Sequence, residues 1–596
     1  MYDQPRNDAL QRLTQTLLQI DPYILPPYPN LSIVSGPLDP PLLTITLAQL
    51  LSQQATLYPD SECLVIPWTG ARWTYRRLLQ ESNLVARGLL KHGVRPGDRV
   101  GIMAGNCESY VAVFFACAKL GAICVTLNNT YTVQEVEHAL KHTRCKILFT
   151  TPTIGRFNNA PLLALLQTPD ITRKFPDLQL TCILRDANRT NGFPSYDDFL
   201  ADGETIPEHI LDIFNGIISP HDVVNLQFTS GSTGNPKAAM LTHHNLINNS
   251  RFIGDRMDLT PSDTLCCPPP LFHCFGLTLG FLATLTHGGK VVYPAESFDP
   301  EATLRAISDE NCTALHGVPA MFESILSLPR PANWTSRLRT GIVAGSPVPR
   351  WLMERMVNEL GMTDFTSSYG LTEASPTVFN AHTHDSLHAR LTTVGTVMPH
   401  ARVKIVDRDN YVVPIGVRGE LCVAGYQVCR GYWENREKTD EVLVRDESGE
   451  VWLHTGDEAV LDVDGYCTIT GRFKDIIIRG MMVARVKSGG ENIYPLEIEE
   501  RLVTHPAISR AIVVGISHPK YVEVPVAFLQ FAEGVPADRK PGLEEVKAWV
   551  RKVLGRHKAP THVFWLGEDC SAEVPLTGSG KIKKFVLRGW AEELLK

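Results

Sequence analysis

The chain has 596 residues, which allows up to about four domains and a large buried core. Hydrophobic residues make up 44% and charged residues 20%, a composition that excludes a disordered chain, collagen and a coiled coil. The 57 basic and 64 acidic residues give a net charge of −7. No overall positive field attracts nucleic acid, so we expect no nucleic-acid partner.

The 14 cysteines are scattered, and no two of them have the Cys-x-x-Cys spacing of a zinc or redox site. We interpret each as a reduced thiol that packs as a small hydrophobic group, as in an intracellular protein.

The amino-terminal segment does not resemble a secretory signal, because acids, Gln and Pro stand where a basic start and an apolar run are needed. The longest apolar stretch, residues 110–127, is interrupted by Lys119 and Gly121, so we predict no transmembrane segment. Arg12-Leu13, five residues and then Gln19-Ile20 approximate an amino-terminal peroxisomal address, for which an amphipathic helix is the alternative. We expect an intracellular soluble protein, cytoplasmic or peroxisomal. The oligomeric state stays open.

Runs rich in Val and Ile alternate with amphipathic stretches through most of the chain. In chain order, the pattern predicts a strand at residues 98–103, a helix at 110–120 and a strand at 122–127. This order favours parallel strands covered by helices. The predicted fold class is α/β, with a large amino-terminal domain of helix-covered, mostly parallel sheets.

The pattern changes after Gly471-Arg-Phe-Lys-Asp475. The remaining residues predict helices at 495–504 and 543–554 and strands at 511–515 and 524–531. Pro495 fits a first helical turn, where its missing N–H costs nothing. We therefore predict an extension at residues 1–42, a large domain at 43–472 and a small carboxyl-terminal α+β domain at 473–596.

The strongest local signal is Leu226-Gln-Phe-Thr-Ser-Gly-Ser-Thr-Gly-Asn-Pro-Lys237, where an apolar strand runs into a turn of small hydroxylated residues and glycines. Backbone N–H groups and hydroxyls of such a turn can surround phosphate oxygens, while Lys237 adds a cation. The segment is not a Walker A loop, because Asn and Pro separate Gly234 from the lysine. It predicts a polyphosphate site, and a plain loop is the alternative. The predicted binding residues are Thr229, Ser230, Gly231, Ser232, Thr233, Gly234 and Lys237.

Four further motifs follow this loop in order. They are Tyr369-Gly-Leu-Thr-Glu373, His454-Thr-Gly-Asp457, Gly471-Arg-Phe-Lys-Asp475 and Pro575-Leu-Thr-Gly-Ser-Gly-Lys581. Together with the loop, they resemble the motifs of the acyl-adenylate-forming enzymes, the superfamily of acyl-CoA synthetases, firefly luciferase and the adenylation domains of peptide synthetases. The resemblance covers the chain from about residue 43 to 584.

Other segments resemble the medium-chain fatty acyl-CoA synthetase branch of this superfamily. They are Leu226-Gln-Phe, His243-His-Asn-Leu-Ile-Asn-Asn249, Pro270-Leu-Phe-His-Cys-Phe-Gly276 and Gly345-Ser-Pro347. A narrower alternative within the branch is a fungal mevalonyl-CoA ligase of siderophore synthesis, which carries an amino-terminal peroxisomal address.

The resemblance implies the chemistry. A carboxylate attacks the α-phosphate of ATP, pyrophosphate leaves, and the thiol of coenzyme A then displaces AMP from the acyl-AMP. The implied cofactors and co-substrates are ATP, Mg²⁺ and coenzyme A, and the partner is a small-molecule carboxylic acid. Both steps develop charge that needs fixed partners.

The motifs also imply residue roles. The loop from Thr229 to Lys237 would hold pyrophosphate, Thr372 the α-phosphate, and Glu373 the Mg²⁺ ion, a hard cation that prefers oxygen ligands. Lys581 would bridge the substrate carboxylate and the α-phosphate. The residues implied at the adenosine are Tyr369, Gly370, Gly345, Ser346 and Pro347 for the base, and Asp457 and Arg472 for the ribose.

Two histidine segments have different interpretations. His273 matches a position beside the acyl tunnel, where it gates entry or shapes the thiolation site, and a hydrogen-bonded core histidine is the alternative. The implied catalytic residues are thus Lys581, Thr372, Glu373 and His273. His243 and His244 are adjacent and do not face one another on a helix, so we interpret them as structural. In the family the small domain is mobile and rotates between the half-reactions, with Lys474 and Asp475 at the matching pivot.

The sequence departs from the family pattern at residues 481–489, which are inserted between Arg479-Gly480 and Gly490-Glu491. Three interpretations compete: a gene-model or splicing artefact, a tolerated surface bulge, or a functional extension that brings Arg485 and Lys487 near the phosphates of coenzyme A. The first two together are favoured, because loop insertions cost little entropy.

The leading functional hypothesis is an ATP-dependent, AMP-forming acyl-CoA synthetase, an acid-thiol ligase acting on a medium-chain fatty acid or a short hydroxy acid such as mevalonate. The alternatives are adenylation with transfer to a carrier protein, and a catalytically inactive paralogue.

Overall fold

The computed structural model describes residues 31–185, 192–229, 236–345, 348, 350–472, 475, 477–483, 486–518, 521–532, 534–578 and 582–596, with only the backbone path for 478–483 and 486–492. The part of the chain that it describes forms a large domain followed by a small one.

The first sheet has six strands, in the spatial order Lys237–Thr242, Val223–Thr229, Ile123–Thr126, Arg99–Met103, Cys145–Thr150 and Leu180–Ile183. Neighbouring strands are parallel except at Lys237–Thr242, which is antiparallel to Val223–Thr229. The predicted strand, helix and strand near residue 110 are confirmed as Arg99–Met103, Glu108–Leu120 and Ile123–Thr126. The parallel strand Val223–Thr229 ends where the glycine-rich segment begins.

The second sheet has five strands, in the order Ala314–Leu315, Thr264–Cys266, Lys290–Val292, Glu62–Ile66 and Ala71–Thr74. Only the last pair is antiparallel. The helix Glu108–Leu120 buries 11 of its 13 residues. A helix that is apolar on all sides belongs in a core, which explains the long apolar run. Among the described residues, no helix has the length and apolarity needed to cross a membrane.

The third sheet has six strands and is antiparallel throughout: Ile33–Ser35, Ala401–Val406, Gly419–Gly425, Val451–Leu461, Leu443–Arg445 and Cys467–Arg472. The expectation of mostly parallel sheets therefore applies to the first two sheets only. No long helix separates the strands between residues 401 and 472, so they connect as hairpins, which are antiparallel. The edge strand Ile33–Ser35 comes from the predicted extension.

A smaller sheet carries part of the candidate site. Its strands are Ile342–Val343, Thr366–Gly370, Thr377–Asn380 and Thr396–Val397, of which the first two are parallel. The strands Thr153–Ile154 and Phe157–Asn158 form a separate hairpin.

Helices cover these sheets. In the described part of the large domain they are Leu47–Leu57, Tyr75–Lys91, Glu108–Leu120, Val133–Thr143, Ala160–Leu166, Ile171–Lys174, Tyr196–Glu204, His243–Arg256, the π-helix Phe275–Leu282, Ala283–Thr286, Pro300–Asp309, Pro319–Ser327, Arg350–Leu360, Leu387–Thr392 and Arg436–Val442. All 14 cysteines are free, and 13 of them are buried, in keeping with their interpretation as small hydrophobic groups.

The small domain is a three-stranded sheet covered on both faces. Its strands are Ile508–Ser517, Glu523–Phe531 and His562–Trp565, and its helices are Pro495–Val503, Leu543–Arg551 and Lys584–Leu594. Alternate residues of the first strand point to opposite faces. Val513 packs with the first two helices, and Ile512 and Val514 pack with the third.

The inserted residues lie in a hairpin between the two domains. Ile477–Val483 pairs antiparallel with Val486–Ile493, with a bulge between Gly480 and Met481. The inserted segment forms the outer part of both arms, so it extends an existing ladder.

Candidate active site

Two paired residues flank the predicted phosphate loop. Thr229 and Lys237 are register partners at the ends of the two antiparallel strands that the loop connects. The Lys237 Nζ atom lies 4.4 Å from the centre of the Tyr432 ring, in cation–π contact. The predicted phosphate-binding residues Ser230, Gly231, Ser232, Thr233 and Gly234 lie outside the described residues.

Tyr432 also contacts the predicted metal ligand. Its hydroxyl donates to Oε1 of Glu373 at 2.7 Å. Burial raises the pKa of Tyr432 above its usual value, and the Glu373 carboxylate adds to the rise, so the phenol keeps its proton and donates. Lys237, Tyr432 and Glu373 thus form one contact chain from the loop to a carboxylate.

Backbone pairing explains why Tyr432 reaches this position. The N–H of Trp433 donates to the Ala238 carbonyl at 2.8 Å, and the N–H of Met240 donates to the Gly431 carbonyl at 2.9 Å. The segment therefore runs alongside the strand that begins at Lys237. The sequence analysis missed Tyr432, for which the only signal was the aromatic pair after Gly431.

Glu373 and Thr372 lie in a single 3-10 turn, Thr372–Ala374, just after the strand Thr366–Gly370. A Cβ at Gly370 would overlap the carbonyl oxygen of Pro376, so the turn closes tightly only with glycine there. The Glu373 carboxylate is half-buried and accepts from Tyr432, and it offers the oxygen donors that Mg²⁺ prefers.

A second contact chain starts at Tyr369, near the end of this strand and four residues before Glu373. The Tyr369 hydroxyl donates to Oδ2 of Asp457 at 2.6 Å, and Nε of Arg472 lies 3.1 Å from Oδ1 of Asp457. Asp457 and Arg472 are register partners on adjacent strands of the third sheet. Burial raises the pKa of Tyr369 well above its usual value, and the Asp457 charge adds to the rise, so Tyr369 stays protonated. The fold therefore brings together three of the residues that were predicted to bind adenosine.

The segment predicted to line the adenine pocket is described at Gly345 only. Gly345 follows the strand Ile342–Val343 and has a φ of +92°, in the region that favours glycine. Ser346 and Pro347 lie outside the described residues.

His273 stands at the start of the π-helix Phe275–Leu282. Its Nδ1 accepts from the Phe275 N–H at 3.2 Å, and the ring is half-buried. Nearby His316 is fully buried, with Nδ1 accepting from the Ile342 N–H and Nε2 donating to the Leu279 carbonyl, both at 3.1 Å. Burial lowers the pKa of His316 to about 4, so it is a neutral link between the helix and the small sheet.

His243 has the contacts of a structural residue. Its Nδ1 accepts from the Leu47 N–H at 3.1 Å, and burial lowers its pKa to about 3. The ring of His244 instead lies 4.7 Å from that of His221.

The small domain approaches the first sheet at Gly578. Leu576 and Ile582 form a bridge, and a Cβ at Gly578 would overlap the side chain of Asn128. Asn128 follows the strand Ile123–Thr126, beside the strand that leads into the phosphate loop. Lys581 lies outside the described residues, as does Lys474. The N–H of Asp475 donates to the Arg472 carbonyl at 2.9 Å.

Two ion pairs and a hydrogen bond are among the contacts that join the domains elsewhere in the described part of the chain. Arg510 pairs with Glu323 at 2.5 Å, Arg418 pairs with Glu497 at 3.6 Å, and the Tyr494 hydroxyl donates to Glu458 at 3.0 Å.

One group of three among the described residues could offer ligands to a metal ion. The ligand atoms of Glu420, Cys422 and His454 lie within 4.8 Å of one another. His454 Nδ1 lies 2.9 Å from Glu420 Oε2, and burial raises the pKa of the Cys422 thiol, which disfavours the thiolate that binds a metal ion.

Comparison with known proteins assigns the chain to a family. The family described as AMP-binding enzyme matches residues 51–433, and the AMP-binding enzyme C-terminal domain matches residues 497–581. An acyl-CoA ligase, sidI, of Beauveria bassiana is 60% identical over 98% of both chains. The mitochondrial medium-chain acyl-CoA ligase ACSF2 of Danio rerio is 36% identical over 95% of this chain and 91% of its own.

The fold agrees with these relatives. The crystal structure of the anthranilate CoA ligase AuaEII in complex with anthranoyl-AMP matches with a TM-score of 0.78 at 24% identity, over 92% of this chain and 97% of that one. The predicted superfamily, the α/β fold with a large and a small domain, and the use of ATP, Mg²⁺ and coenzyme A are confirmed. The chain belongs to the AMP-binding enzyme family and is an ATP-dependent, AMP-forming acyl-CoA ligase.

Proposed function

We propose that the acid is a short hydroxylated one, mevalonate, and that the chain makes its coenzyme A thioester for siderophore synthesis. The observation that carries this proposal is the 60% identity to the sidI ligase, over nearly the whole length of both chains. The 36% identity to ACSF2 supports a medium-chain fatty acid less strongly, and we keep that acid as the second candidate.

The two contact chains support an assignment of the nucleotide. Tyr369 offers its ring to adenine, and Asp457 with Arg472 holds the ribose hydroxyls. The pocket segment at Gly345, Ser346 and Pro347 lines the base. Tyr369 and Glu373 lie only four residues apart on one strand and turn. ATP whose adenosine binds at Tyr369 therefore directs its phosphates toward Glu373.

The phosphate end then serves the first half-reaction. A carboxylate oxygen of the acid attacks the α-phosphorus, and pyrophosphate leaves into the loop from Thr229 to Lys237. Thr372 donates to the α-phosphate, and Glu373 binds Mg²⁺, which neutralises phosphate charge. Lys581 bridges the acid carboxylate and the α-phosphate in the transition state.

The second half-reaction needs a different orientation of the small domain. Residues 473–596 rotate against the large domain at residues 43–472 about Lys474 and Asp475, and the thiol of coenzyme A attacks the acyl carbon as AMP leaves. His273 shapes the acyl entrance from its position at the head of the π-helix. The address at Arg12-Leu13 and Gln19-Ile20 directs the protein to the peroxisome.

The test compares mevalonate with an analogue that lacks only its 5-hydroxyl group, and with a medium-chain and an aromatic acid. Mevalonate, 3-hydroxy-3-methylpentanoate, octanoate and benzoate are supplied with ATP and Mg²⁺, and pyrophosphate, AMP and thioester are measured with and without coenzyme A. A site that hydrogen-bonds a substrate hydroxyl rejects the analogue lacking it strongly, so we expect mevalonate to exceed 3-hydroxy-3-methylpentanoate by about 100-fold in kcat/KM.

Each other outcome points elsewhere. A preference for octanoate would support the medium-chain acid instead. Acyl-AMP formed without thioester would indicate transfer to a carrier protein, and inactivity with every acid would indicate an inactive paralogue.

A further inference from the structure

The strand Val451–Leu461 has a β-bulge that includes Asp457. In the register between Gly419–Gly425 and Val451–Leu461, Glu420 pairs with Glu458 and Cys422 pairs with His454. One residue therefore lies between the partners on the first strand, whereas Thr455, Gly456 and Asp457 lie between them on the second. Such bulges bend a strand and redirect a side chain, often beside an active site.

Both carboxylate oxygens of Glu420 hold this bulge. Oε1 accepts from the Gly456 N–H at 3.0 Å, and Oε2 accepts from Nδ1 of His454 at 2.9 Å. Gly456 has a φ of +71°, so its N–H is turned out of the regular ladder and needs an acceptor elsewhere. Hydrogen bonds to an ionised carboxylate are stronger than those between neutral groups.

Two further bonds connect the bulge to Asp457. The hydroxyl of Thr455 donates to the Leu421 carbonyl at 2.8 Å and accepts from the Asp457 N–H at 3.1 Å. Glu420 and Thr455 thus secure the backbone on both sides of Gly456. The resulting path brings the Asp457 carboxylate to Tyr369 and Arg472.

We propose that Glu420 is a positioning residue for nucleotide binding: it holds the Thr455–Asp457 bulge so that Asp457 faces the ribose. The inference rests on the ribose role proposed above for Asp457. Glu420 itself has no contact with Tyr369 or Arg472 among the described hydrogen bonds and ion pairs, so its effect passes through Asp457.

The exposure of Glu420 makes the inference testable. Its side chain is 24% exposed, so removing it leaves no large cavity in the core. Glu450 is a matched control, because it immediately precedes the strand Val451–Leu461, is 26% exposed and pairs with Arg402 at 2.7 Å, away from the bulge.

The experiment measures AMP binding by isothermal titration, with neither acid nor coenzyme A present. We expect Glu420→Ala to weaken AMP binding about 10-fold, because two hydrogen bonds that fix Asp457 are lost, and Glu450→Ala to leave it unchanged. Glu420→Gln, which keeps an acceptor for Gly456, should recover most of the affinity. In steady state, Glu420→Ala should raise the KM for ATP and leave the KM for the acid unchanged.

A double-mutant cycle separates positioning from a general loss of structure. In an Asp457→Ala background, Glu420→Ala should weaken AMP binding less than about 2-fold further, because the residue that it positions is gone. An equal loss in both backgrounds would overturn the inference, as would wild-type affinity in Glu420→Ala when Asp457→Ala binds weakly. Wild-type affinity in Asp457→Ala would refute the ribose role as well.

Discussion

The ribose end of the site and the small-domain segment at Gly578 are held in different ways. Tyr369 and Arg472 both contact Asp457, and all three residues belong to the large domain. Gly578 lies beside Asn128 but belongs to another domain, which docks through partly exposed ion pairs such as Arg510–Glu323. Exposed ion pairs contribute about 0–1 kcal/mol each, so this docking is easily reversed. Direct contacts within the large domain thus hold the ribose end, whereas weak ion pairs hold the small domain against it.

Among the changes that test this comparison, we expect the replacement of Lys581, the predicted catalytic lysine, to have the largest effect on activity. We expect Lys581→Ala to lower the rate of acyl-AMP formation by about 100-fold or more, because the charge that bridges the carboxylate and the α-phosphate is lost. Thioester formation from supplied acyl-AMP should change far less. Lys583→Ala is the control, since its backbone bond to Pro575 is retained. Equal losses in both half-reactions would contradict the role of Lys581.

The phosphate end should respond more moderately. Tyr432→Phe keeps a ring for Lys237 but removes the 2.7 Å bond to Glu373. One such bond is worth about 1–1.5 kcal/mol, so kcat/KM should fall about 10-fold. The Mg²⁺ concentration for half-maximal activity should rise, which a titration of rate against Mg²⁺ checks. An unchanged Mg²⁺ requirement would argue against a metal role for Glu373.

Breaking a docking contact should have a smaller effect. Glu323→Lys opposes Arg510 and should lower the rate of acyl-AMP formation relative to thioester formation by about 3-fold, because the described orientation loses an ion pair. The swap of Glu323→Lys with Arg510→Glu should restore the ratio, as measured by single-turnover rates of each half-reaction. A swap that fails to restore it would show that the pair does not set domain orientation.

Deleting residues 481–489 should have the least effect. Arg479 and Glu491 are register partners, so the deletion leaves Gly480 and Gly490 as a two-residue turn between them. Gly-Gly suits the tight turns that fit twisted hairpins. Both half-reactions should stay within about 2-fold of the intact chain. A selective rise in the KM for coenzyme A would instead identify the insertion as part of the thiol site.

The described part of the candidate site was predictable where its residues lie in short motifs. Tyr369, Thr372 and Glu373 share one strand and turn, and Asp457 and Arg472 belong to ordered motifs, so the sequence selected them as candidates, and the structure brings Tyr369, Asp457 and Arg472 into contact. Tyr432 and Glu420 were missed, because each acts through a partner distant in sequence or through a bulge. Their neighbours carry no motif that marks them.

The sequence by itself determined the family through its ordered motifs, the alternation of strands and helices in the first two sheets, and two helices and two strands of the small domain. Local periodicity and motif spacing carry that information. Only the tertiary structure decided that the third sheet is antiparallel, that Ile33–Ser35 forms its edge, and that Tyr369 bonds to Asp457, 88 residues away. Such pairings depend on which surfaces pack together, and no local pattern specifies them.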